Sequence, residues 1–104
     1  MTRILWVSRH KMTEPQRTEL DRIYEDVSLM QYDATVQDIN EILAFHADVY
    51  AVVLPLGLLA ELRKNTDAEI IQSVSGRIRK ESDYVFQHLY WQKINKLVLE
   101  TENL

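Results

Sequence analysis

Residues 49–57 read VYAVVLPLG, and this run carries the strongest structural signal in the chain. Its first six residues are apolar and rich in β-branched side chains, which favours a buried strand over residues 49–54. Pro55 ends that strand, because proline has no amide hydrogen for the ladder. Residues 56–64 then predict a short helix, so the run indicates one strand–turn–helix unit.

A first strand–helix unit stands at the start of the chain. Residues 4–7, ILWV, form a short apolar run typical of a strand covered on both faces. Thr13 followed by Gln16 at the capping-box spacing, with Pro15 between them, predicts the start of a helix. The apolar side of this helix is predicted to carry Leu20, Ile23 and Tyr24.

A second unit lies between these two. Residues 27–32 predict a strand, and residues 33–35 turn the chain into another helix. The buried side of that helix is predicted to carry Ile39, Ile42, Leu43 and His46, the last as a packed histidine. Three such units with short connections imply parallel strands joined by right-handed crossovers. We therefore expect an α/β fold, a Rossmann-like or flavodoxin-like open sheet of three parallel strands in the order 2-1-3.

The last third of the chain has a different pattern. Residues 69–79 and 84–100 are apolar without a clean helical stripe, which predicts a C-terminal β-hairpin that extends the sheet. Gly76 is a candidate β-bulge, and residues 91–93 a candidate second bend. The competing interpretation is a helix over residues 84–99, which the β-branched and aromatic content disfavours.

Composition limits the class of protein. A length of 104 residues fits one Rossmann-like domain over residues 1–104. The absence of cysteine excludes disulfides, thiolate zinc sites, iron–sulfur clusters and cysteine nucleophiles, and it is compatible with a cytoplasmic location. The longest apolar stretch, residues 49–60, is shorter than the roughly 20 residues that a membrane helix needs. Arg9 comes too early for a secretion signal.

The charge is acidic and unevenly distributed. The net charge is −4, which disfavours broad binding to duplex DNA or RNA. Up to Leu62 there are five Lys and Arg against ten Asp and Glu, a net of −5, and from Arg63 onward seven against six, a net of +1. An acidic surface still permits a small phosphate ligand in a local basic pocket.

Two loops are candidates for such a pocket. In an open α/β sheet, ligands bind beyond the carboxyl ends of the strands, where the strand order reverses. In the order 2-1-3 this point lies between strands 1 and 3. The first strand ends in Ser8-Arg9-His10-Lys11, which offers a hydroxyl, a guanidinium, an imidazole and an ammonium. The third ends in residues 54–57, a helix start whose free amide groups favour an anion.

Each residue also has an ordinary structural role. Arg9 and Lys11 would serve equally to solvate a loop, and a lone histidine such as His10 is more often structural than catalytic. Asp33, at the end of the second strand, would either contact a ribose or cap the next helix. His88 with Tyr90 and Trp91 would form either a stacking platform for a base or part of the core or a dimer contact.

Glycine-rich phosphate-binding motifs and metal-ligand patterns are missing. The chain has neither GxGxxG nor GxxxxGK[ST], which disfavours a typical dinucleotide site and a P-loop. Its three histidines have no paired spacing, so the pattern predicts no metal site. We expect no cofactor.

Two segments resemble the small CRISPR-associated Rossmann-like proteins. One is Val7-Ser8-Arg9-His10 followed by Thr13-Glu14-Pro15-Gln16, and the other is AVVLPLGLLAEL at residues 51–62. These families open with a strand that ends in Ser-His or Ser-Arg-His, and a Leu-Pro turn is typical after their third strand. The likeness covers the first two-thirds of the chain. Residues 11–12, Lys-Met, depart from the Pro-Leu of relatives.

Some of these proteins are ring nucleases, so the resemblance implies metal-independent cleavage of cyclic oligoadenylate, with cyclic tetra-adenylate the favoured ring. It also implies a twofold homodimer around the ring. The residues so implied are Ser8, Arg9 and His10 for catalysis and Lys11, Asp33, Pro55, Leu56 and Gly57 for ligand binding. Two alternatives remain: a non-catalytic sensor or sponge for such a messenger, and a protein-interaction module of a phage or mobile element that docks through Tyr90 or Trp91.

Overall fold

The computed structural model describes residues 1–81 and 83–95 and is an α/β structure built on one mixed five-stranded sheet. The elements in chain order are β1 (Thr2–Val7), α1 (Glu14–Ile23), β2 (Val27–Tyr32), α2 (Asn40–Leu43), β3 (Val49–Val52), α3 (Leu56–Asn65), β4 (Glu69–Lys80) and β5 (Asp83–Lys93). The strand order is β2-β1-β3-β4-β5. Strands β1 to β4 are parallel, and β5 runs antiparallel to β4. The predicted order 2-1-3 and the hairpin that extends it are confirmed.

The core lies on both faces of the sheet. In β1, Ile4 and Trp6 pack with Leu20 of α1 on one face. Leu5 and Val7 face the other way, into a cluster that holds the buried residues of α2 and α3. Alternation along a strand sends successive side chains to opposite faces, so a continuous apolar run is what a strand covered by helices on both sides requires. None of the helices among the described residues is long and apolar enough to cross a membrane.

Helix α1 begins as its sequence predicts. The Thr13 hydroxyl accepts the Gln16 amide at 3.4 Å, and the Gln16 side chain accepts the Thr13 amide at 2.8 Å. This reciprocal capping box satisfies two amide groups that a helix start leaves without partners. Pro15 sits in the first turn, where proline costs no hydrogen bond.

Helix α2 is much shorter than the pattern predicts. It covers only residues 40–43, and its end tightens into i→i+3 bonds from Phe45 to Ile42 and from His46 to Leu43. His46 has a φ of 49°, the left-handed conformation that ends a helix. Its side chain therefore leaves the helical stripe and is exposed. The prediction that His46 packs in the core is wrong.

The hairpin, with strands over residues 69–80 and 83–93, differs from the prediction in its details. Its bulge falls between Val74 and Ser75 rather than at Gly76. Gly76 instead admits the Leu89 side chain, since a Cβ at Gly76 would lie 2.6 Å from Leu89 Cδ1. Strand β5 continues through residues 91–93, so the predicted bend there is wrong. The alternative helix is wrong over residues 84–93, and the predicted strand over 96–100 lies outside the described residues.

A hydrogen bond joins the end of α1 to the start of β4. The Tyr24 hydroxyl donates to Glu69 Oε2 at 2.7 Å, and Lys93 Nζ lies 3.2 Å from Glu69 Oε1. The hydrogen bond from Tyr24, and then the Lys93 ammonium, lower the pKa of the Glu69 carboxyl. Burial, and then the bond to Glu69, raise the pKa of the Tyr24 phenol.

Replacing Tyr24 by phenylalanine is expected to lower the free energy of unfolding near pH 7 by about 1 kcal/mol, since the carboxylate is partly exposed. The lowered pKa of Glu69 means that this stability is present above the ordinary value of 4.5 and is lost as the pH falls through the folded value. The raised pKa of Tyr24 means that it is also lost as the pH rises above 10.0. Urea unfolding of both proteins near pH 3, 7 and 10.5 should show the largest difference near pH 7; an equal difference at all three would contradict this.

Candidate functional site

The loops after β1 and β3 meet in one cleft at the carboxyl edge of the sheet. This cleft has a volume of about 280 Å³. Ser8, Arg9 and His10 line it from the first loop, and residues 53–55 line it from the second. The convergence follows from the topology, because β1 and β3 are neighbours in the sheet and run parallel. The two loops named from the sequence therefore line a common cleft.

The loop at residues 8–10 is tightly bonded. The Ser8 amide donates to the Tyr32 carbonyl at 3.1 Å, which extends the β1–β2 ladder by one residue. The His10 amide donates to Ser8 Oγ at 3.1 Å. Since Oγ already accepts this bond, the Ser8 hydroxyl hydrogen is available to an acceptor such as a phosphate oxygen. The side chains of Arg9 and His10 are exposed at the rim.

A third wall comes from the loop after β2. Residues 34–36 line the cleft, and Val36 is buried beneath it. This loop is fixed at the end of β2 by the Tyr32 hydroxyl, which donates to Glu41 Oε2 at 2.6 Å. That hydrogen bond raises the pKa of the Tyr32 phenol. Thr35 therefore lines the cleft as well, and its position after a parallel strand was the available sequence signal for it.

The start of α3 contributes main-chain groups. Pro55 is the N-cap, and within the described part of the chain no side chain caps this helix. Its first intrahelical bond runs from the Leu59 amide to the Pro55 carbonyl at 2.9 Å. The amide groups of residues 56–58 therefore precede the helical ladder and carry the positive end of the helix dipole.

Four predicted site residues do not line the cleft. Leu56 and Gly57 lie on the exposed side of α3, whereas Leu58, one position further, faces the cleft. Asp33 is exposed beside Ala34 and is not part of the lining. Lys11 lines a separate depression with Trp6 and Arg17 on the α1 side of the sheet. The chain bends at Arg9 and His10, and Lys11 is separated from the other three residues of its loop.

The inner surface of the cleft is apolar, and its cationic side chains lie at the rim. Its apolar lining consists of Val7, Ala34, Val36, Val53, Leu54, Pro55 and Leu58. The polar groups are the hydroxyls of Ser8 and Thr35, the guanidinium of Arg9 and the imidazole of His10. Small-molecule sites combine apolar walls with a few convergent polar groups in this way. Such an arrangement suits an anion that carries a flat or apolar body.

The aromatic group on the hairpin is part of the packing against α1. Trp91 packs edge-on against Trp6, with ring centroids 5.8 Å apart, and its indole donates to the Gln16 carbonyl at 3.1 Å. The His88 side chain is only 4% exposed, with Nε2 3.5 Å from Glu19 Oε1. Of the three residues, only Tyr90 is half exposed. These residues therefore do not form an open stacking platform, and the core interpretation is correct for His88 and Trp91.

Among residues 1–81 and 83–95, the His, Asp and Glu side chains form no cluster of three or more that could hold a metal ion. Comparison of the chain with protein-family models, with curated proteins and with solved structures gives no match.

Proposed function

We propose that this protein binds cyclic oligoadenylate through the cleft at the carboxyl edge of its sheet and cleaves it as a metal-independent ring nuclease of the Rossmann-like type. The observation that supports the proposal is the convergence of two distant loops. Ser8, Arg9 and His10 line one apolar cleft. Pro55, the N-cap of α3, and Leu58 in its first turn line the same cleft. Cations and free amide groups together favour a phosphate.

The size of the cleft indicates how much ligand it takes. Its volume of about 280 Å³ lies just below the range for small-molecule sites, about 300–1,000 Å³. One phosphate and its neighbouring base or ribose are therefore the natural occupants, rather than a whole ring. A ring with near-twofold symmetry would then be shared by two copies of the chain in a C2 dimer.

The proposed chemistry uses residues that line the cleft, together with water. The ribose 2′-oxygen attacks the adjacent phosphorus, loses its proton, and displaces the 5′-oxygen, which gains a proton. The products are a 2′,3′-cyclic phosphate and a 5′-hydroxyl. Arg9 and the free amide group of Leu58, the first-turn residue of α3 that lines the cleft, stabilise the charge on the phosphate. Ser8 holds a phosphate oxygen by donating its hydroxyl. His10 carries one of the two protons, and water carries the other, since His10 is the only histidine among the described residues that line this cleft.

The proposal is tested by incubating the protein with cyclic tetra-adenylate and cyclic hexa-adenylate in EDTA and separating the products by chromatography. Linear or cyclic-phosphate products support it. If the ring is still intact after long incubation with stoichiometric protein, the nuclease hypothesis is wrong. A thermal shift of the protein with either ring would then favour the non-catalytic sensor. Absence of both would favour the protein-interaction module.

Arg9 and Lys11, two cationic residues of one loop, allow a substitution in the cleft to be compared with a matched control outside it. Arg9→Ala is expected to weaken binding of cyclic tetra-adenylate by about tenfold, because it removes a charged donor from the rim of the cleft. Lys11→Ala removes the same charge two residues away but leaves the cleft intact, so its affinity should stay close to that of the unaltered chain. Isothermal titration of both variants makes the comparison. Equal losses would show that net charge, and not the cleft, attracts the ligand.

A further inference from the structure

One side chain holds two carbonyl groups of the loop at residues 8–10. Gln31 lies in β2 beside Trp6 of β1, and the two are register partners in the parallel pairing. Gln31 Nε2 donates to the Ser8 carbonyl at 2.9 Å and to the His10 carbonyl at 3.1 Å. The indole of Trp6 donates to the same His10 carbonyl at 2.8 Å. Two carbonyls that are two residues apart thus converge on one amide nitrogen.

This convergence turns the carbonyls away from the cleft. Gln31 and Trp6 line the depression on the α1 side, together with Lys11, and neither lines the cleft. A carbonyl oxygen is the negative end of a strong dipole, so one directed into an anion site would repel the anion. With both carbonyls bonded on the far side, the cleft keeps the Ser8 hydroxyl and the side chains of Arg9 and His10.

We propose that Gln31 is a positioning residue for the anion site, one that acts by fixing the direction of the Ser8 and His10 carbonyls without touching the ligand. Within the described residues, Gln31 is the donor to the Ser8 carbonyl, whereas the His10 carbonyl also has Trp6. Loss of the Gln31 amide therefore leaves the Ser8 carbonyl without its donor, whereas the His10 carbonyl keeps the bond from Trp6. That the ligand is an anion rests on the proposed function. That Gln31 fixes the conformation of the loop does not depend on it.

The test replaces Gln31 by methionine, which keeps the length of the side chain and removes both donors. Gln31 is exposed, so the fold should tolerate the change. Gln87→Met on the exposed part of β5 is the matched control. Inorganic pyrophosphate is titrated into each protein, and binding is followed by the NMR amide signals of Ser8 and His10. We expect Gln31→Met to bind pyrophosphate about tenfold more weakly, and Gln87→Met to bind it as the unaltered protein does. Dimethyl phosphate, with a single charge, should lose less, because the repulsion scales with charge. A merely structural defect would weaken both anions equally.

Trypsin gives a readout that needs no ligand. Arg9 and Lys11 are cleavage sites in the same loop, and Gln31→Met should be cut there faster than Gln87→Met at equal thermal stability. Unchanged pyrophosphate affinity in Gln31→Met would overturn the inference. If the unaltered protein binds no pyrophosphate, the proposed function fails instead, and trypsin decides alone: faster cleavage in Gln31→Met supports the role of Gln31, and equal cleavage overturns it.

Discussion

Replacing His10 by alanine is expected to slow cleavage of cyclic tetra-adenylate by about 10²–10⁴-fold, the usual contribution of a positioned proton carrier. The effect should fall on the cleavage step. The contacts that shape the loop run through the main chain of His10 and the side chain of Ser8, and they survive the substitution. Affinity for the ring should therefore stay within a few-fold of the original value.

Single-turnover cleavage and equilibrium binding, measured on the same preparations, separate the two effects. His46→Ala is the appropriate control, because His46 is exposed and lies outside the cleft. Cleavage by His10→Ala at the original rate would exclude His10 as the proton carrier. Loss of binding in step with cleavage would instead assign the imidazole to ligand recognition.

Replacing Arg63 by methionine is expected to lower the free energy of unfolding by about 3 kcal/mol, a large effect for one side chain. Arg63 is partly buried and holds three carbonyl groups. Its guanidinium donates to Thr66 at 2.6 Å, to Ala68 at 2.9 Å and to Ile94 at 3.0 Å. These bonds join the connection between α3 and β4 to the end of β5. Methionine keeps most of the apolar stem and leaves the three carbonyls without this donor.

Urea unfolding monitored by circular dichroism measures the loss. Arg63→Lys should recover only part of the stability, since an ammonium lacks the planar fork that reaches several acceptors at once. Lys64→Met, at the exposed neighbouring position of the same helix, should change stability by less than about 0.5 kcal/mol. A loss below about 1 kcal/mol for Arg63→Met would mean that water replaces the guanidinium at these carbonyls.

The parallel part of the sheet could be predicted because local pattern and tertiary packing agree there. The strand over residues 27–32 has the predicted bounds, and the capping box of Thr13 and Gln16 is formed as the spacing requires. The end of α2 could not be predicted in the same way. The spacing of apolar residues places His46 on the buried side of a helix. The left-handed backbone conformation that ends the helix at His46 is a local feature that this spacing does not predict.

The candidate site was predictable at the level of loops and less so at the level of side chains. Strand order brings the ends of β1 and β3 together, and this much follows from sequence. Which residues of a loop face the cleft depends on turns that carry no simple signal. The chain bends at Arg9 and His10, Lys11 lines a different depression, and Thr35 from the loop after β2 lines the cleft. The proposed role of Gln31 could not be predicted from the sequence, since it arises from contacts across two strands.

The position of Trp6 has a practical consequence. Its indole nitrogen is bonded to the His10 carbonyl, while its ring is only 3% exposed and lies against Trp91. The emission of an indole depends on its hydrogen bond and on the polarity around it. A rearrangement of residues 8–10 that breaks this hydrogen bond is therefore expected to change the intrinsic fluorescence of the protein, and Trp91→Phe would leave Trp6 as the single tryptophan. A ligand that moves these residues can thus be followed in real time without an attached dye.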